Sequence, residues 1–236
     1  MKKALKWSLI VVGGLLVLFL AAAFIVPVVF KDDIKALAER EIAKSVNADV
    51  IFEDFDLTLF KHFPNVTVTV GNLGVLNREP FPGEVLFATE RLDVEVNLKD
   101  ILFGDELRLK GITLQHPVIH VNVLKDGRAN YDIAIPSADT TAVEESGDFS
   151  FGIDHWEIVG GEVVYDDATL PFVMSVKGLN HSGSGDFTQD VFDLSTHTVI
   201  DSLDVTYDGM NYLSEKRVEL DAVISIAEAY SKYTFK

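Results

Sequence analysis

The two histidines of the segment "HPVIH", His116 and His120, have the spacing at which two imidazoles on one face of a helix could share a metal ion. Pro117 and the β-branched residues that follow it predict an extended chain instead. Four extended residues place the two imidazoles about 13 Å apart, which is too far for one zinc ion. We therefore interpret both histidines as solvent-facing or turn residues.

The segment "HSGSGD" combines serine with histidine, as a hydrolase would. It lacks the G-x-S-x-G turn that exposes a catalytic serine, so we interpret residues 182–185 as a hairpin loop. Asp166-Asp167 and "DVTYDG" bring carboxylates together without the spacing of a calcium loop. The chain has no cysteine, which excludes thiolate catalysis and cysteine-bound metals. The sequence therefore predicts no catalytic residue, no metal site, no cofactor and no enzymatic activity.

The elements that carry these residues are predicted to be strands. In "RLDVEVNLK", residues 91–99, apolar side chains alternate with charged or polar ones, which is typical of a strand with one apolar face. In "ELRLKGITLQ" the alternation slips by one residue at Lys110-Gly111, as it does at a β-bulge. "VIHVNV" continues a strand, and "KDGRAN" predicts a turn around Gly127. We predict an all-β body, mainly antiparallel, that forms an elongated curved sheet or a repeating β-groove.

An N-terminal transmembrane helix is predicted to precede this body. Ser8–Phe30 contains no charged residue and is long enough to cross a hydrocarbon core of about 30 Å. The alternative is a cleaved signal peptide, with cleavage near Ala21-Ala22-Ala23, although such peptides usually have a shorter apolar region. The lysines before the span place the N-terminus in the cytoplasm and the body outside. In a bacterium this predicts a single-pass inner-membrane protein with a periplasmic body.

Changes of pattern divide the chain into segments. Apolar residues at helical spacing after the anchor predict a short amphipathic helix, whose apolar side either caps the sheet or lies on the membrane. The predicted organisation is a cytoplasmic N-terminus (1–7), a transmembrane anchor (8–30), the amphipathic helix (31–47), a first β segment (48–136), an acidic linker or loop (137–148) and a second β segment (149–236). The second β segment either ends naturally or is truncated.

The distribution of charge restricts the partners of the body. The net charge is −17, and residues 1–30 carry +3, which leaves −20 on the rest. Nucleic-acid binding needs a basic surface, so we predict no nucleic-acid partner. An acidic body is also repelled by anionic headgroups, so any contact that it makes with a membrane surface must be apolar.

Four sequence features occur in a characteristic order. Phe63-Pro64 precedes an alternating strand, the core "LKDILFGDELRLKGITLQHPVIHV" follows, and "DGRANYDI" supplies a turn at Asp126 to Ile133. Later, "IDHWEIVGGEVVYDD" places a glycine before an acidic turn. Together with the N-terminal anchor, this order resembles the N-terminal part of the AsmA family of bacterial envelope proteins. The resemblance covers essentially the whole chain and is densest over residues 55–133.

The resemblance implies an inner-membrane-anchored periplasmic protein related to bridge-like lipid-transfer proteins, in which the apolar concave face of a β-sheet shields acyl chains. It implies a part in phospholipid transport and outer-membrane or envelope assembly, with membrane phospholipid as a partner. A sheet of ten to twelve strands extends only about 50–60 Å. Other envelope proteins or a longer C-terminal continuation are therefore further expected partners. The family pattern brings no catalytic residues.

The candidate groove-lining residues are the apolar members of the strands between residues 92 and 123. They are Leu92, Val94, Val96, Leu98, Leu107, Leu109, Ile119, Val121 and Val123. Alternation predicts that one face is apolar but leaves open whether lipid or a closed protein core covers it. The alternative function is that of a non-enzymatic assembly or scaffold factor that binds other proteins through its β-sheet.

Overall fold

The computed structural model describes residues 35–36, 39–62, 65–97, 109–135, 153–185, 192–227 and 232–235. Within these ranges it contains one short helix, α1 (residues 35–36 and 39–45), and eleven strands. The strands are β1 (Ala48–Ile51), β2 (Asp54–His62), β3 (Asn65–Asn77), β4 (Val85–Asn97), β5 (Leu109–Gln115), β6 (Val118–Val123), β7 (His155–Asp167), β8 (Phe172–Ser184), β9 (Phe192–Tyr207), β10 (Met210–Ala227) and β11 (Lys232–Phe235). The prediction of an all-β body behind a short helix is confirmed.

All eleven described strands belong to one sheet. Its order is β1-β3-β4-β5-β7-β8-β9-β10-β11, with β2 also beside β3 and β6 between β4 and β7. Neighbouring strands are antiparallel, except that β5 and β6 both run parallel to β7. The chain therefore returns from the end of β6 to the opposite end of the sheet before β7 begins. The prediction of a mainly antiparallel sheet is confirmed, but the sheet is mixed. The parallel pairs were not predicted, because alternation within a strand does not reveal the direction of its neighbour.

The helix predicted over residues 31–47 is confirmed within the described residues, and it is tied to one end of the sheet. Immediately after α1, the Asn47 N–H donates to the carbonyl oxygen of Ile133 at 2.6 Å. The Ile135 N–H donates to the carbonyl oxygen of Ser45 at 2.9 Å. The end of the sheet at which β1 begins and β6 ends is therefore the end that carries α1.

Three other predicted segments lie outside the described residues. They are the cytoplasmic N-terminus (1–7), the transmembrane anchor Ser8–Phe30 and the acidic linker at residues 137–148. Among the residues that the structure does describe, no helix is both long and apolar enough to cross a bilayer.

The predicted turn at Gly127, which has φ +85°, is confirmed and is held by one buried side chain. Asn130 is only 1% exposed. Its Oδ1 accepts from the Asn122 N–H at 2.9 Å, and its Nδ2 donates to the carbonyl oxygen of His120 at 2.7 Å. Asn77 Nδ2 in turn donates to the carbonyl oxygen of Asn130 at 2.6 Å. These bonds join the end of β6 to the end of β3, close to where α1 is attached.

The predicted bulge at Lys110-Gly111 is also confirmed. Glu95 of β4 pairs with Gly111, but its neighbour Val96 pairs with Leu109, so Lys110 is the extra residue. A bulge shifts the alternation by one residue. The bulge therefore leaves apolar residues on the same face before and after it.

A row of residues with positive φ crosses the sheet near the middle of its strands, and we name it the crease. Its members are Asn72 (φ 50°) in β3, His116 (48°) between β5 and β6, Gly160 (63°) in β7 and Gly178 (63°) in β8. Asn72 and His116 both lie opposite Glu90 of β4, as the pairing on either side requires. An added Cβ at Gly160 would lie 2.8 Å from Cδ2 of His116, which places these two residues side by side.

The crease keeps one face of the sheet apolar. At the crease the alternation changes phase within the strands, while β3, β4 and the β5–β6 segment keep the same pairing register on both sides of Glu90. In β7, an added Cβ at Gly161 would lie 3.1 Å from Cγ2 of Ile158, so the two residues point to the same face although they are three apart. Alternation from Gly161 then places Val163 and Tyr165 on that face too. We name it the apolar face, and its opposite the polar face.

We expect Gly160→Ala to lower the free energy of unfolding more than Gly127→Ala does. Both glycines have positive φ, at which a Cβ costs about 1–2 kcal/mol. Only at Gly160 would the Cβ also meet a side chain, that of His116, whereas nothing lies within 4 Å at Gly127. Urea denaturation in mild detergent, followed by circular dichroism, measures both losses.

A double-mutant cycle isolates the contact at the crease. His116→Asn shortens the side chain and keeps a residue type that tolerates positive φ. In the His116→Asn background, the free energy of unfolding lost on Gly160→Ala should approach the loss caused by Gly127→Ala. Equal losses at the two glycines in the native background would contradict close packing at the crease.

Candidate functional site

On the side of the crease away from α1, apolar residues pair across five neighbouring strands. One row consists of Leu57, Val68, Val94, Ile112 and Trp156, and the next of Phe55, Val70, Leu92, Leu114 and Ile158. Residues paired directly across strands point to the same face of the sheet. Val96, which pairs with Val66 and Leu109, extends the same surface. These rows form a continuous apolar strip.

On the side of the crease that carries α1, the apolar face continues across six strands. One row consists of Val75, Phe87, Ile119, Val163, Val176 and Leu203. Nearer the end of the sheet, Val121 pairs with Tyr165, and Val123 pairs with Asp167. Since the crease preserves the face, this surface is continuous with the strip on the other side.

The structure places seven of the nine candidate groove-lining residues on this single face. They are Leu92, Val94, Val96, Leu109, Ile119, Val121 and Val123. The other two candidates, Leu98 and Leu107, lie outside the described residues. Contact of these side chains with lipid stays a prediction.

Most of the seven side chains keep surface that water can reach. Leu92, Val94, Leu109, Ile119 and Val121 are half-buried, while Val96 and Val123 are buried. Apart from Pro117, the described part of the chain holds only seven buried apolar side chains, although its sheet has eleven strands. A closed core would bury such side chains against several neighbours each. The apolar face is therefore partly open.

The polar face is held together by charged and hydroxyl groups. Asp93 is 4% exposed and accepts hydrogen bonds from Oγ1 of Thr69 at 2.5 Å and from Nε of Arg91 at 3.1 Å. Glu95, also buried, lies 3.7 Å from Nε2 of His155. Buried carboxylates are costly unless they are paired. These partners allow Asp93 and Glu95 to be buried on the polar face.

The histidines of "HPVIH" are exposed, as predicted. Nδ1 of His116 lies 2.8 Å from a carboxylate oxygen of Glu90. Both residues border a cleft of about 660 Å³ that follows the crease on the polar face and has Ile51 and Val118 in its lining. In the part of the chain that the structure describes, no three metal-ligating side chains are close enough together to hold an ion.

One row of the polar face brings together the residue types of a hydrolytic triad. Ser182 pairs with His197, and Nδ1 of His197 lies 2.7 Å from a carboxylate oxygen of Asp221. All three side chains are exposed. Acyl-transfer catalysis relies on groups held in a site from which water is excluded. We interpret His197 and Asp221 as a surface ion pair beside a serine.

The interpretation of "HSGSGD" as a hairpin loop is wrong for Ser182, Gly183 and Ser184, which lie inside β8. An added Cβ at Gly183 would overlap the indole of Trp156 on the neighbouring strand. The missing side chain therefore makes room for a large aromatic residue on the apolar face. Sequence reasoning missed this role because it becomes visible only when β7 and β8 are paired.

The apolar face ends near α1 at a carboxylate that is satisfied by its own turn. The Thr169 hydroxyl donates to Oδ1 of Asp167 at 2.6 Å and holds the pKa of this carboxyl below its usual range, with help from the Thr169 N–H and the Tyr165 hydroxyl. Burial of Asp167 opposes this shift in its pKa. Donation to Asp167 also raises the pKa of Tyr165. The Leu170 N–H approaches the same oxygen at 3.3 Å, so Asp167 shapes the turn on which Leu170 is carried.

Comparison with known proteins identifies the family. The sequence model of the AsmA family matches residues 1–221 of the 236. The chain belongs to the AsmA family. This membership supports a membrane-associated envelope protein. No curated protein and no solved structure matches the chain.

Two AsmA-like motifs have clear structural roles in this chain. "HPVIHV" passes through the crease, where His116 turns the chain between β5 and β6. "DGRANYDI" contains Asn130 and ends at Ile133. The carbonyl oxygen of Ile133 accepts a hydrogen bond from the Asn47 N–H, just after α1. In this AsmA-family protein, the motifs therefore position the apolar face relative to the helix that follows the predicted anchor.

We expect Asp167→Asn to remove part of the acid dependence of stability. A carboxyl whose pKa is lower in the folded chain stabilises the fold at pH values above the unfolded pKa of about 3.9. That contribution is lost as the pH falls through the folded pKa. The variant should therefore be less stable than the native chain near neutral pH, and the difference should shrink in acid. Urea denaturation of both proteins near neutral pH and in acid measures the difference in their free energies of unfolding. A difference that does not change with pH would contradict the role of the ionised carboxylate.

Proposed function

We propose that this protein is a non-enzymatic lipid-handling component of the bacterial envelope. In this proposal, Ser8–Phe30 anchors the chain in the inner membrane and the β body lies in the periplasm. The apolar face contacts the acyl chains of phospholipids while their headgroups remain in water. The observation that supports the proposal best is the unbroken apolar face of half-buried side chains, which continues through the crease.

The chemistry of the face suits acyl chains. Removing one methylene group from water contributes about 0.8 kcal/mol. This contribution has no directional requirement, so a chain can shift along valine and leucine side chains without losing it. Movement of this kind needs no nucleophile, metal or cofactor, in agreement with the prediction that the protein is not an enzyme.

The size of the sheet limits what this chain can do by itself. Nine strand positions at about 4.8 Å give a width of roughly 40 Å, and the eighteen residues of β10 give a strand length of about 60 Å. We propose that transport beyond the inner membrane therefore depends on other envelope proteins or on a C-terminal continuation.

Site-specific photo-crosslinking in intact cells tests the proposal. A photoreactive amino acid at Val94 or Val121, on the apolar face, should give phospholipid adducts that mass spectrometry identifies on the purified full-length chain. The matched control is Val223, which is also half-buried but pairs with Ser195 on the polar face. The control should give no lipid adduct.

A charge on the apolar face should displace the lipid. Introducing Val94→Asp together with the probe at Val121 should reduce the lipid adducts by about tenfold or more, since a carboxylate against hydrocarbon costs more than about 1.4 kcal/mol. The β-sheet circular dichroism should be unchanged. Val223→Asp should leave the adducts intact. If the probes at Val94 and Val121 gave only adducts with protein, lipid handling would be refuted.

The outer edge of β10 supports a second candidate function, that of a scaffold. Among the described residues, β11 pairs only with Ile224–Ala227, and no strand covers the outer edge of residues 210–223. An open edge can accept a strand from another envelope protein or from a continuation of the same chain. Protein adducts from a probe at an exposed position of this edge, together with no lipid adduct at Val94, would favour the scaffold.

A further inference from the structure

Exposed apolar side chains are concentrated at the end of the sheet that carries α1. The described residues include ten large apolar side chains that are exposed, and eight of them lie at this end. The most exposed of the eight are Tyr131, Leu170, Met210 and Tyr212, at 56%, 57%, 58% and 60%, followed by Tyr207 at 47%. We name these five residues the apolar rim. Exposed apolar residues are ordinary when scattered, but a concentration at one edge marks an interaction surface.

The rim is continuous with the apolar face. The last paired row at this end consists of Val123, Asp167, Phe172, Tyr207 and Met210. The rings of Tyr207 and Tyr212 lie 6.4 Å apart between their centroids, and Leu170 is carried on the turn that Asp167 shapes. The rim therefore borders the apolar face where that face reaches the end of the strands.

The length of the chain before β1 keeps this end near the predicted anchor. Fifteen residues separate Phe30 from Val46, and nine of them are described as helical. At about 1.5 Å per helical residue and 3.5 Å per extended residue, they reach at most about 35 Å. The far ends of the strands are more distant, since the sixteen residues of β9 alone measure about 50 Å.

We propose that the apolar rim lies on the outer surface of the inner membrane, along the whole edge from α1 to β10, so that the apolar face opens directly onto the lipid. Tyrosine suits the boundary between headgroups and hydrocarbon, because its ring is apolar and its hydroxyl remains hydrated. Leucine and methionine on tight turns can enter the acyl region. The partner is a phospholipid bilayer, and the contact rests on the predicted anchor rather than on lipid binding by the apolar face.

The charges at this edge are partly paired, and the exposed carboxylates of Asp132 and Asp208, beside Tyr131 and Tyr207, stay hydrated among the headgroups when the rim docks. Asp126 is paired with Arg128 at 2.8 Å, and Asp167 accepts hydrogen bonds from its own turn. The body as a whole is acidic, so attraction to anionic headgroups cannot drive the contact. We therefore expect docking that persists at high salt.

Single-cysteine labelling tests the docking cleanly, because the native chain contains no cysteine. The full-length protein is reconstituted into vesicles of phosphatidylethanolamine and phosphatidylglycerol, with an environment-sensitive fluorophore at Tyr131→Cys, Leu170→Cys or Met210→Cys. The control is Ser195→Cys, an exposed position twelve residues before Tyr207 and so about 40 Å from the rim. All three rim probes should shift to shorter emission wavelengths and be quenched by brominated acyl chains, whereas the control should be quenched only by aqueous iodide.

The pattern across the rim decides between two orientations. Met210 lies six strand positions from β3, or about 30 Å across the sheet. A lipid signal at Tyr131 but not at Leu170 or Met210 would mean that the sheet stands away from the membrane beside α1, and it would overturn the proposal. Rim probes that all behave like Ser195 would overturn it as well.

The labelling of the rim and the photo-crosslinking at Val94 test the docking and the lipid handling separately. Phospholipid adducts at Val94 without a lipid signal at the rim would refute the docking and leave lipid handling intact. A lipid signal at all three rim probes without adducts at Val94 would have the opposite meaning. Because the labelled side chains are exposed, we expect substitution there to leave the β-sheet circular dichroism unchanged.

Discussion

A β-strand can present one chemical surface only while its alternation stays in phase, and this sheet depends on changing that phase at the same place in successive strands. Gly160, Gly178, Asn72 and His116 adopt positive φ in one row. A single strand that lacked the change would turn its polar residues toward the apolar face beyond the crease. Register is therefore coupled across the sheet, because each phase change is useful only when the neighbouring strands share it.

The two faces solve different physical problems. On the polar face, Asp93 and Glu95 are buried among partners from β3, β4 and β7, and this arrangement makes the order of these strands specific rather than merely favourable. On the apolar face, the half-buried valines and leucines contribute little specificity but a broad surface with no directional demand. The polar face can thus make the sheet rigid. In the proposed function, the apolar face is then free to contact acyl chains of different length.

Local pattern was sufficient to predict some features of the fold and of the candidate site. Alternation placed Leu92, Val94 and Val96 on one face, and the phase slip located the bulge at Lys110. Gly127 marked its turn because φ > 0 favours glycine. Each of these features is encoded within a few neighbouring residues, so it could be read before any strand was paired.

Features that depend on pairing could not be predicted in this way. The parallel join of β5 and β6 to β7 leaves no trace in alternation, because the direction of a neighbour does not change which side chains are apolar. Gly183 resembled a loop residue until Trp156 was found beside it. His116 was correctly interpreted as a solvent-facing or turn residue, but its place in the crease beside Gly160 depends on the pairing of its segment with β7. In each case the deciding partner is distant in sequence.

An open apolar face is also a hazard in water, and the acidic charge of the body offers a physical remedy. Two copies that met through their apolar faces would bring together two bodies of −20 each, and like charge on this scale opposes association. The same charge does not oppose uncharged acyl chains, and apolar contact of the rim with a bilayer must outweigh the repulsion from anionic headgroups. The charge of the body can therefore disfavour contact of the apolar face with another copy of the protein and still allow contact with acyl chains. Neither effect requires specific recognition.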